Sequence, residues 1–238
     1  MSEPYRADNL LDRVGDDATR QVHYDHQAER ERAILDRRLR LDGGDVLSVG
    51  CGWHSGRHLF PRPAWRMTGA EINAGMIAVL LESGELDDGV VARAGELPFE
   101  PGSFDVVLYR LVLHHVVYQG PLGPVFGEAA RLLRPGGLLV AVEPGLWHPV
   151  GAGLALANRA GIGPVVHGTP DDIPLSPRTL TREARAAGLE PELHAVTFSW
   201  RRLPPGAQRA LHALDGAGSR RRLAPFGHTL MLVARMPT

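Results

Sequence analysis

Lysine is absent from this chain of 238 residues, so all 26 basic side chains are arginines. Without lysine, Schiff-base chemistry and a phosphate site of the P-loop type are excluded. The single cysteine, Cys51, excludes an intrachain disulfide and a cysteine-based zinc site. Charge of either sign is not in excess, because the formal net charge is −1. No global field therefore draws the chain to nucleic acid or to anionic membranes, and neither partner is expected.

Long apolar runs are missing as well. The longest mostly apolar stretch, residues 144–166, is interrupted by Pro149, Arg159 and Pro164, so no transmembrane helix is expected. The first 12 residues are polar and acidic without an apolar core, so no signal peptide is expected. Together with the lone cysteine, these features predict a cytoplasmic protein without stable membrane insertion. The 11 histidines are accompanied by neither an H-E-x-x-H pattern nor paired cysteines, so no metal site is expected.

Short apolar segments alternate with helical patterns along the chain. Strands are predicted over residues 45–49, 65–70, 89–92, 104–109 and 138–142, and helices over 19–41, 73–84 and 122–133. The strands are apolar throughout, which is typical of a parallel sheet covered on both faces. Towards the C-terminus the pattern predicts a helix over 176–188, strands over 192–201 and 228–235, and a helical insert over 207–214.

A glycine-rich turn and a carboxylate follow two successive predicted strands. Gly50 and Gly52 come directly after the first strand, where glycine lets the backbone turn sharply and lets a ligand approach closely. Glu71 lies 19 positions beyond Gly52 and ends the second strand. In this place a carboxylate accepts hydrogen bonds from ribose hydroxyls. The pair predicts an adenosine-containing ligand, and a purely structural strand-to-helix turn is the alternative.

Residues 46–142 resemble the class I S-adenosylmethionine-dependent methyltransferases, in particular their small-molecule group of the methyltransferase type 11 kind. V-L-S-V-G-C-G at 46–52 is similar to the first motif of the family, and Glu71 to its ribose-binding acid. A-G-E-L-P-F at 94–99 and S-F-D-V-V at 103–107 are similar to the third and fourth motifs, and L-H-H at 113–115 and L-L-R-P-G-G-L-L-V at 132–140 to the closing ones. The resemblance implies a Rossmann-like α/β fold. It has a mostly parallel sheet of about seven strands, the last one antiparallel, with helices on both faces and a helical cap.

The resemblance also implies the cofactor, S-adenosyl-L-methionine, and a set of binding residues. The turn after the first strand would pass the methionine end, and Glu71 would hold the ribose. Backbone groups and apolar side chains would contact the adenine, and residues just past the fourth strand would line the sulfonium side. In this order the implied residues are Gly50, Cys51 and Gly52, then Glu71, then Ala94, Gly95, Ile72 and Leu97, then Arg110 and Leu111.

The resemblance further implies a small-molecule acceptor under a cap. Residues 1–42 would form an N-terminal arm and cap helix, and residues 43–238 the methyltransferase domain. Within that domain residues 144–175 would form the cap insertion over the acceptor. The Gly/Pro-rich, apolar composition of this insertion indicates an apolar or amphipathic acceptor. Tyr24, Trp147 and His148 are candidates for the acceptor site, with ordinary packing as the alternative for each.

Two histidines follow the fourth predicted strand, close to where the transferred methyl group should lie. An imidazole suits general-base work near neutral pH, so His114 and His115 are the catalytic candidates, with His114 preferred. The alternative is that the pair holds the loop through hydrogen bonds to the backbone.

The chain departs from the usual family pattern at three positions. Ser48 and Arg93 stand where the family usually has aspartate, and His54 stands where it usually has a third glycine. The altered loop keeps open a catalytically silent module that only binds the cofactor. An NAD(P)-dependent oxidoreductase is a further alternative, although Ser55 occupies the place of the third glycine in that fingerprint. A nucleic-acid methyltransferase is disfavoured, because Y-R-L-V at 109–112 lacks the Asn/Asp-Pro-Pro-aromatic element that base methylation often uses.

Overall fold

The structure, a computed structural model, describes residues 10–13, 17–53, 55–218 and 222–238. Its strands form one seven-stranded sheet in the order β3-β2-β1-β4-β5-β7-β6. The strands are β1 (Gly44–Val49), β2 (Trp65–Glu71), β3 (Asp88–Val91), β4 (Phe104–Arg110), β5 (Leu133–Pro144), β6 (Glu190–Thr197) and β7 (Thr229–Arg235).

All neighbouring strands pair in parallel except β7, which runs antiparallel to both β5 and β6. Val49 of β1 pairs with Ala70 on one side and with Tyr109 on the other, so three strands end at the same level. This edge is where ligands of open parallel sheets bind. The predicted Rossmann-like fold, including the single reversed strand, is confirmed.

Eight α-helices surround the sheet in the described part of the chain. They are α1 (Asp17–Leu35), α2 (Ala74–Glu82), α3 (Leu113–Gln119), α4 (Gly123–Leu132), α5 (Pro149–Arg159), α6 (Gly163–Val166), α7 (Pro177–Ala186) and α8 (Pro205–Gly218). Short 3-10 helices lie at Leu10–Arg13, Arg57–Leu59 and Ala224–Phe226. Within the described residues, no helix has both the length and the apolar character needed to cross a membrane.

Alternate residues of the central strands enter two separate cores, one on each face of the sheet. Val46, Val106 and Val140 pack with side chains of α1 and α2. Leu47, Val107 and Leu139 belong to the other core, with side chains of α4 and α7. Side chains alternate across a strand, and burial of both faces therefore makes the strands apolar throughout, as the sequence predicted.

Several predicted boundaries were wrong for physical reasons. The first helix ends at Leu35 instead of residue 41, because its buried face ends there and Arg38 turns to bind Glu192 on β6, with its Nε 2.7 Å from the carboxylate. Strand β5 begins at Leu133 instead of residue 138, so it includes the R-P-G-G segment that precedes the predicted strand. Gly137 in this segment lies so close to the carbonyl oxygen of Asp105 that an added Cβ would be 2.9 Å from it.

Candidate active site

A cavity of about 880 Å³ opens at the carboxyl ends of β1, β2 and β4. Its walls come from the turn after β1, the end of β2, the segment after β3 and the segment after β4. Nearly all the predicted cofactor residues line it, namely Gly50, Cys51, Gly52, Glu71, Ile72, Ala94, Gly95, Arg110 and Leu111.

The turn after β1 needs its glycines for two different reasons. Gly50 and Gly52 both have left-handed backbones, with φ of 62° and 47°. A Cβ on Gly50 would lie 2.2 Å from the Val112 side chain, whereas one on Gly52 would meet only the Gly50 carbonyl oxygen at 3.9 Å. The turn is therefore tightly packed below Gly50 and open above Gly52, which leaves room for a ligand next to the backbone.

Ser48 and Trp53, which accompany this turn, leave it open. The Ser48 hydroxyl donates a hydrogen bond of 2.7 Å to the Ser55 carbonyl oxygen, so the residue that replaces the usual aspartate holds the loop. The Trp53 side chain lies at the cavity wall and is 68% exposed. His54, which stands where the family usually has a third glycine, lies outside the described residues.

Glu71 joins the two elements from which the sequence predicted a nucleoside site. Its Oε2 accepts a hydrogen bond of 3.2 Å from the Gly52 N–H, across 19 positions of sequence. Its Oε1 accepts hydrogen bonds from the backbone N–H groups of Ile72 and Asn73, at 2.8 and 3.2 Å. A carboxylate has about four lone-pair sites, so acceptor capacity remains for hydroxyl donors.

The segment after β3 gives the cavity an apolar wall with accessible backbone. A Cβ built on Gly95 would meet no atom closer than 3.9 Å, so the backbone there is accessible. Ile72, directly after β2, lines the same cavity and is 66% exposed. Leu97 differs from its predicted role, since it is 4% exposed and packs in the core instead of lining the cavity. Its backbone N–H donates to Glu128 of α4, which draws this residue beneath the surface. Arg93 also lines the cavity.

This combination of groups fits S-adenosylmethionine. The carboxylate of Glu71 suits ribose hydroxyls, the exposed face of Ile72 suits a purine ring, and the guanidinium of Arg110 suits the carboxylate of the methionine end. Leu111 has a left-handed backbone with φ of 58°, which is costly for a leucine and is often found at ligand sites.

Cys51 lies at the floor of the cavity and is not a nucleophile. Burial, together with the negative charge of Glu71, raises the pKa of its thiol to about 12. The thiol therefore stays protonated at neutral pH, and only the thiolate is reactive.

Arg110 is held by a buried carboxylate that the sequence analysis missed. Glu31 of α1 is 0% exposed, and its Oε2 accepts a hydrogen bond of 3.0 Å from Arg110 Nε. Burial alone would raise the pKa of Glu31, but the charge of Arg110 and hydrogen bonds from His58, Arg110 and Gln27 outweigh it and lower that pKa. Only its place on a helix next to the sheet edge distinguishes Glu31 from the other acidic residues of α1, so the sequence carries no clear signal for it.

His114 is bound to the sheet by a second buried carboxylate. Its Nδ1 lies 2.7 Å from Oε2 of Glu143 on β5, and the other oxygen of Glu143 accepts from the N–H groups of Val112 and Leu113. Burial would lower the pKa of His114, but the charge and hydrogen bond of Glu143 outweigh it, so that pKa is raised. His114 therefore keeps its proton at a higher pH than an ordinary histidine.

His115 differs from His114 in its exposure and in the direction of its pKa shift. It lines the cavity, its side chain is 41% exposed, and its Nδ1 lies 3.4 Å from Oδ2 of Asp171. Burial and the charge of His114 lower the pKa of His115, and the nearby carboxylates of Asp171, Asp172 and Glu143 oppose this shift only in part. Adjacent groups with pKa values pushed in opposite directions are typical of acid–base sites.

The three predicted acceptor residues lie away from this cavity. The Tyr24 hydroxyl accepts a hydrogen bond of 3.0 Å from Arg201 at the surface. Trp147 lies under the guanidinium of Arg178, 5.1 Å from its ring centre. His148 caps α5 by accepting from the Val150 N–H at 3.3 Å. The structure does not bring these side chains to the cofactor residues, because each contacts residues that lie outside the cavity.

Asp171 and Asp172 lie beside the two histidines and were missed by the sequence analysis. Asp171 lines the cavity, and Oδ1 of Asp172 lies 3.7 Å from His114 Nε2. They belong to an irregular segment between α6 and α7, where two aspartates carry no sequence signal of their own. Among the described residues, no group of histidine, cysteine and acidic side chains is arranged to hold a metal ion.

Comparison with known proteins agrees with this geometry. A family model described as a methyltransferase domain matches residues 47–141. The chain is 32% identical over 206 residues to the 27-O-demethylrifamycin SV methyltransferase of Amycolatopsis mediterranei, covering 77% of this chain and 71% of that protein. It is 34% identical over 104 residues to the demethylmenaquinone methyltransferase of Tropheryma whipplei, a match that spans 42% of the length of each protein.

The fold is shared with solved structures. The crystal structure of an S-adenosylmethionine-dependent methyltransferase from Thermotoga maritima, described as a possible histamine N-methyltransferase, superposes with a TM-score of 0.64 and 16% identity. This superposition covers 92% of this chain and 91% of that one. The sequence matches settle the choice of cofactor against a nicotinamide dinucleotide. The chain belongs to the class I S-adenosylmethionine-dependent methyltransferase family.

Proposed function

We propose that the acceptor is a small molecule and that the methylated group is a hydroxyl whose proton passes to His115. One observation carries this proposal. A histidine with a lowered pKa lies on the wall of the same cavity as the glycine turn and Glu71, and a carboxylate of the cap faces it.

The cofactor, when bound, supplies a methyl group on a positively charged sulfur, which is already activated for transfer. The chain therefore has to bind, align and exclude water rather than activate the methyl donor. Glu71 accepts from the ribose hydroxyls, and Ile72 with the backbone of Ala94 and Gly95 contacts the adenine. With the cofactor bound by these residues, its methyl group would lie next to the segment after β4, which carries His115.

His115 is the better proton acceptor of the histidine pair, which reverses the preference from the sequence. A lowered pKa leaves His115 neutral at neutral pH, so its ring can take up a proton. With Nδ1 on the side of Asp171, Nε2 is the nitrogen available to the acceptor, and the carboxylate stabilises the imidazolium that forms. His114 is bound to Glu143 and keeps its proton, so it supports the segment rather than accepting a proton from the substrate.

The surroundings favour an apolar or amphipathic hydroxyl compound. Leu111 is partly exposed at the cavity, and Val112 and Val116 line it as well. Exposed apolar side chains in the same region favour ligands with apolar surface. The relative with the longest match is named for methylation of 27-O-demethylrifamycin SV, which is consistent with a hydroxyl acceptor.

A panel of hydroxylated small molecules, each paired with its deoxy analogue, tests the proposal. Wild-type protein should release S-adenosylhomocysteine with a hydroxyl compound and not with its deoxy partner. His115→Gln should lower kcat about 100-fold, a typical contribution of a general base, with unchanged cofactor affinity in calorimetry. His194→Gln, on β6 and away from the cavity, is the matched control. Full turnover by His115→Gln would contradict the role of this histidine.

A further inference from the structure

The buried carboxylate of Glu31 has no part in the proposed chemistry, yet it connects three segments of the chain. It accepts from Gln27 Nε2 at 2.7 Å within α1, and it lies 3.4 Å from His58 Nε2 on the 3-10 helix after the glycine turn. Its third partner is Arg110 at the end of β4. A fully buried charge is costly unless it is paired in this way, so the arrangement needs an explanation.

Arg110 faces the carboxylate on one side and the cavity on the other. Its Nε and Nη2 donate to Glu31 at 3.0 and 3.4 Å, and no described residue accepts a hydrogen bond from its Nη1. A guanidinium has five donor hydrogens in a rigid fork, so it can bind two carboxylates at the same time.

The placement of the cavity cations identifies the second anion. Arg93 and Arg110 are the arginines among the described residues that line the cavity. Arg93 adjoins Ala94 and Gly95 in the segment after β3, where the adenine is proposed to lie, whereas Arg110 ends β4 and adjoins Leu111. The anionic group of S-adenosylmethionine is the carboxylate of its methionine end, so Arg110 is its complement.

We infer that Glu31 is a positioning residue that holds Arg110 for the cofactor carboxylate and thereby couples the docking of α1 to cofactor binding. This inference rests on the proposed placement of the cofactor in this cavity. The coupling is reciprocal by thermodynamic linkage. A docked α1 presents Arg110 in the correct orientation, and an anion bound to Arg110 holds the guanidinium against Glu31 and so keeps α1 docked.

Hydrogen exchange of the wild-type protein tests this coupling without any variant. Two ligands are compared at saturation, S-adenosylhomocysteine and 5′-methylthioadenosine, which share the adenosine and the sulfur but differ in the amino-acid end. The amides of α1 should exchange about tenfold more slowly with S-adenosylhomocysteine and should be unchanged with methylthioadenosine. Equal protection by both ligands would overturn the inference.

A variant pair then assigns the coupling to Glu31. Glu31→Gln should weaken S-adenosylhomocysteine binding about tenfold in calorimetry and change methylthioadenosine affinity less than about twofold. Arg38→Gln is the matched control. It removes the ion pair with Glu192, which holds the chain just after the end of α1 at a place outside the cavity. Equal losses in both variants would show that general loosening of α1 is responsible, and would overturn the role of Glu31.

Glu71→Ala separates a failure of this inference from a failure of the site. If Glu71→Ala weakens both ligands while Glu31→Gln weakens neither, the cavity is correct and the coupling is wrong. If Glu71→Ala weakens neither ligand, the cofactor lies elsewhere and both proposals fall together. If Glu31→Gln does not fold, the exchange comparison on the wild-type protein still decides the matter.

Discussion

The proposed cofactor side and the proposed acceptor side of the cavity are built in different ways. On the cofactor side, a backbone turn and one carboxylate at strand ends meet directly, as the 3.2 Å hydrogen bond from Gly52 to Glu71 shows. On the acceptor side, His114 and His115 contact Glu143, Asp171 and Asp172, which come from β5 and from the cap. The first side depends on strand register and the second on side chains that distant segments bring together, so the two should respond differently to substitution.

The largest effect on stability is expected at the turn. Gly50→Ala should lower the free energy of unfolding by about 3 kcal/mol, because the new Cβ combines a left-handed backbone with a clash against Val112. Gly102→Ala is the matched control, since Gly102 has a φ of 66° and nothing within 4 Å of its added Cβ. It should cost only about 1 kcal/mol. Denaturant unfolding measures both, and equal losses would show that packing below the turn is unimportant.

The next largest effect is expected when Glu71, whose carboxylate is proposed to bind the ribose, is replaced. Glu71→Ala should weaken S-adenosylmethionine binding by about 2 kcal/mol in calorimetry, because the ribose hydroxyls lose their acceptor. Asn73→Ala, two residues away, removes the side-chain cap of α2 and should reduce stability without affecting this affinity. An unchanged affinity of Glu71→Ala would place the nucleoside elsewhere.

On the acceptor side, a shift in the pH profile is expected. Turnover requires neutral His115, so it should fall as the pH drops through the pKa of His115, which burial places below 6.5. Asp171→Asn removes a negative charge that favours the imidazolium, so the inflection should move to still lower pH while kcat at the plateau decreases. A profile of kcat against pH for both proteins measures this. An inflection that moves upward would contradict the assignment of Asp171.

The smallest effects are expected at the predicted acceptor residues that lie outside the cavity. Trp147→Leu should leave cofactor affinity unchanged, because the ring packs under Arg178 and beside Phe226. Calorimetry with S-adenosylhomocysteine is the measurement. A loss of affinity as large as that expected for Glu71→Ala would mean that packing around Trp147 contributes to cofactor binding.

The same contrast explains how far the sequence could lead. Gly50, Gly52 and Glu71 could be predicted because turn chemistry and the order of parallel strands are local properties of the chain. The sheet could be predicted because its strands are apolar on both faces, as the two cores require.

Helix α3 could not be predicted. Its N-cap is Val112, which has no capping side chain, and the capping oxygen is Oε1 of Glu143, about 30 residues later in the sequence. The pairings of Glu31 with Arg110 and of His115 with Asp171 are equally non-local, since they join segments that meet only after the sheet and its helices have packed. Pattern and spacing carry no information about such contacts.

Asp171 and Asp172 reside on the cap, whereas the histidines they face reside on the sheet domain. Replacing the cap by that of another enzyme would therefore exchange the proposed acceptor wall and the carboxylates beside the imidazoles in one step. A chimaera of this kind should therefore take both its substrate preference and its pH profile from the enzyme that donates the cap. An engineer who wants a new acceptor with the original pH response should keep both aspartates and vary the helices that precede them.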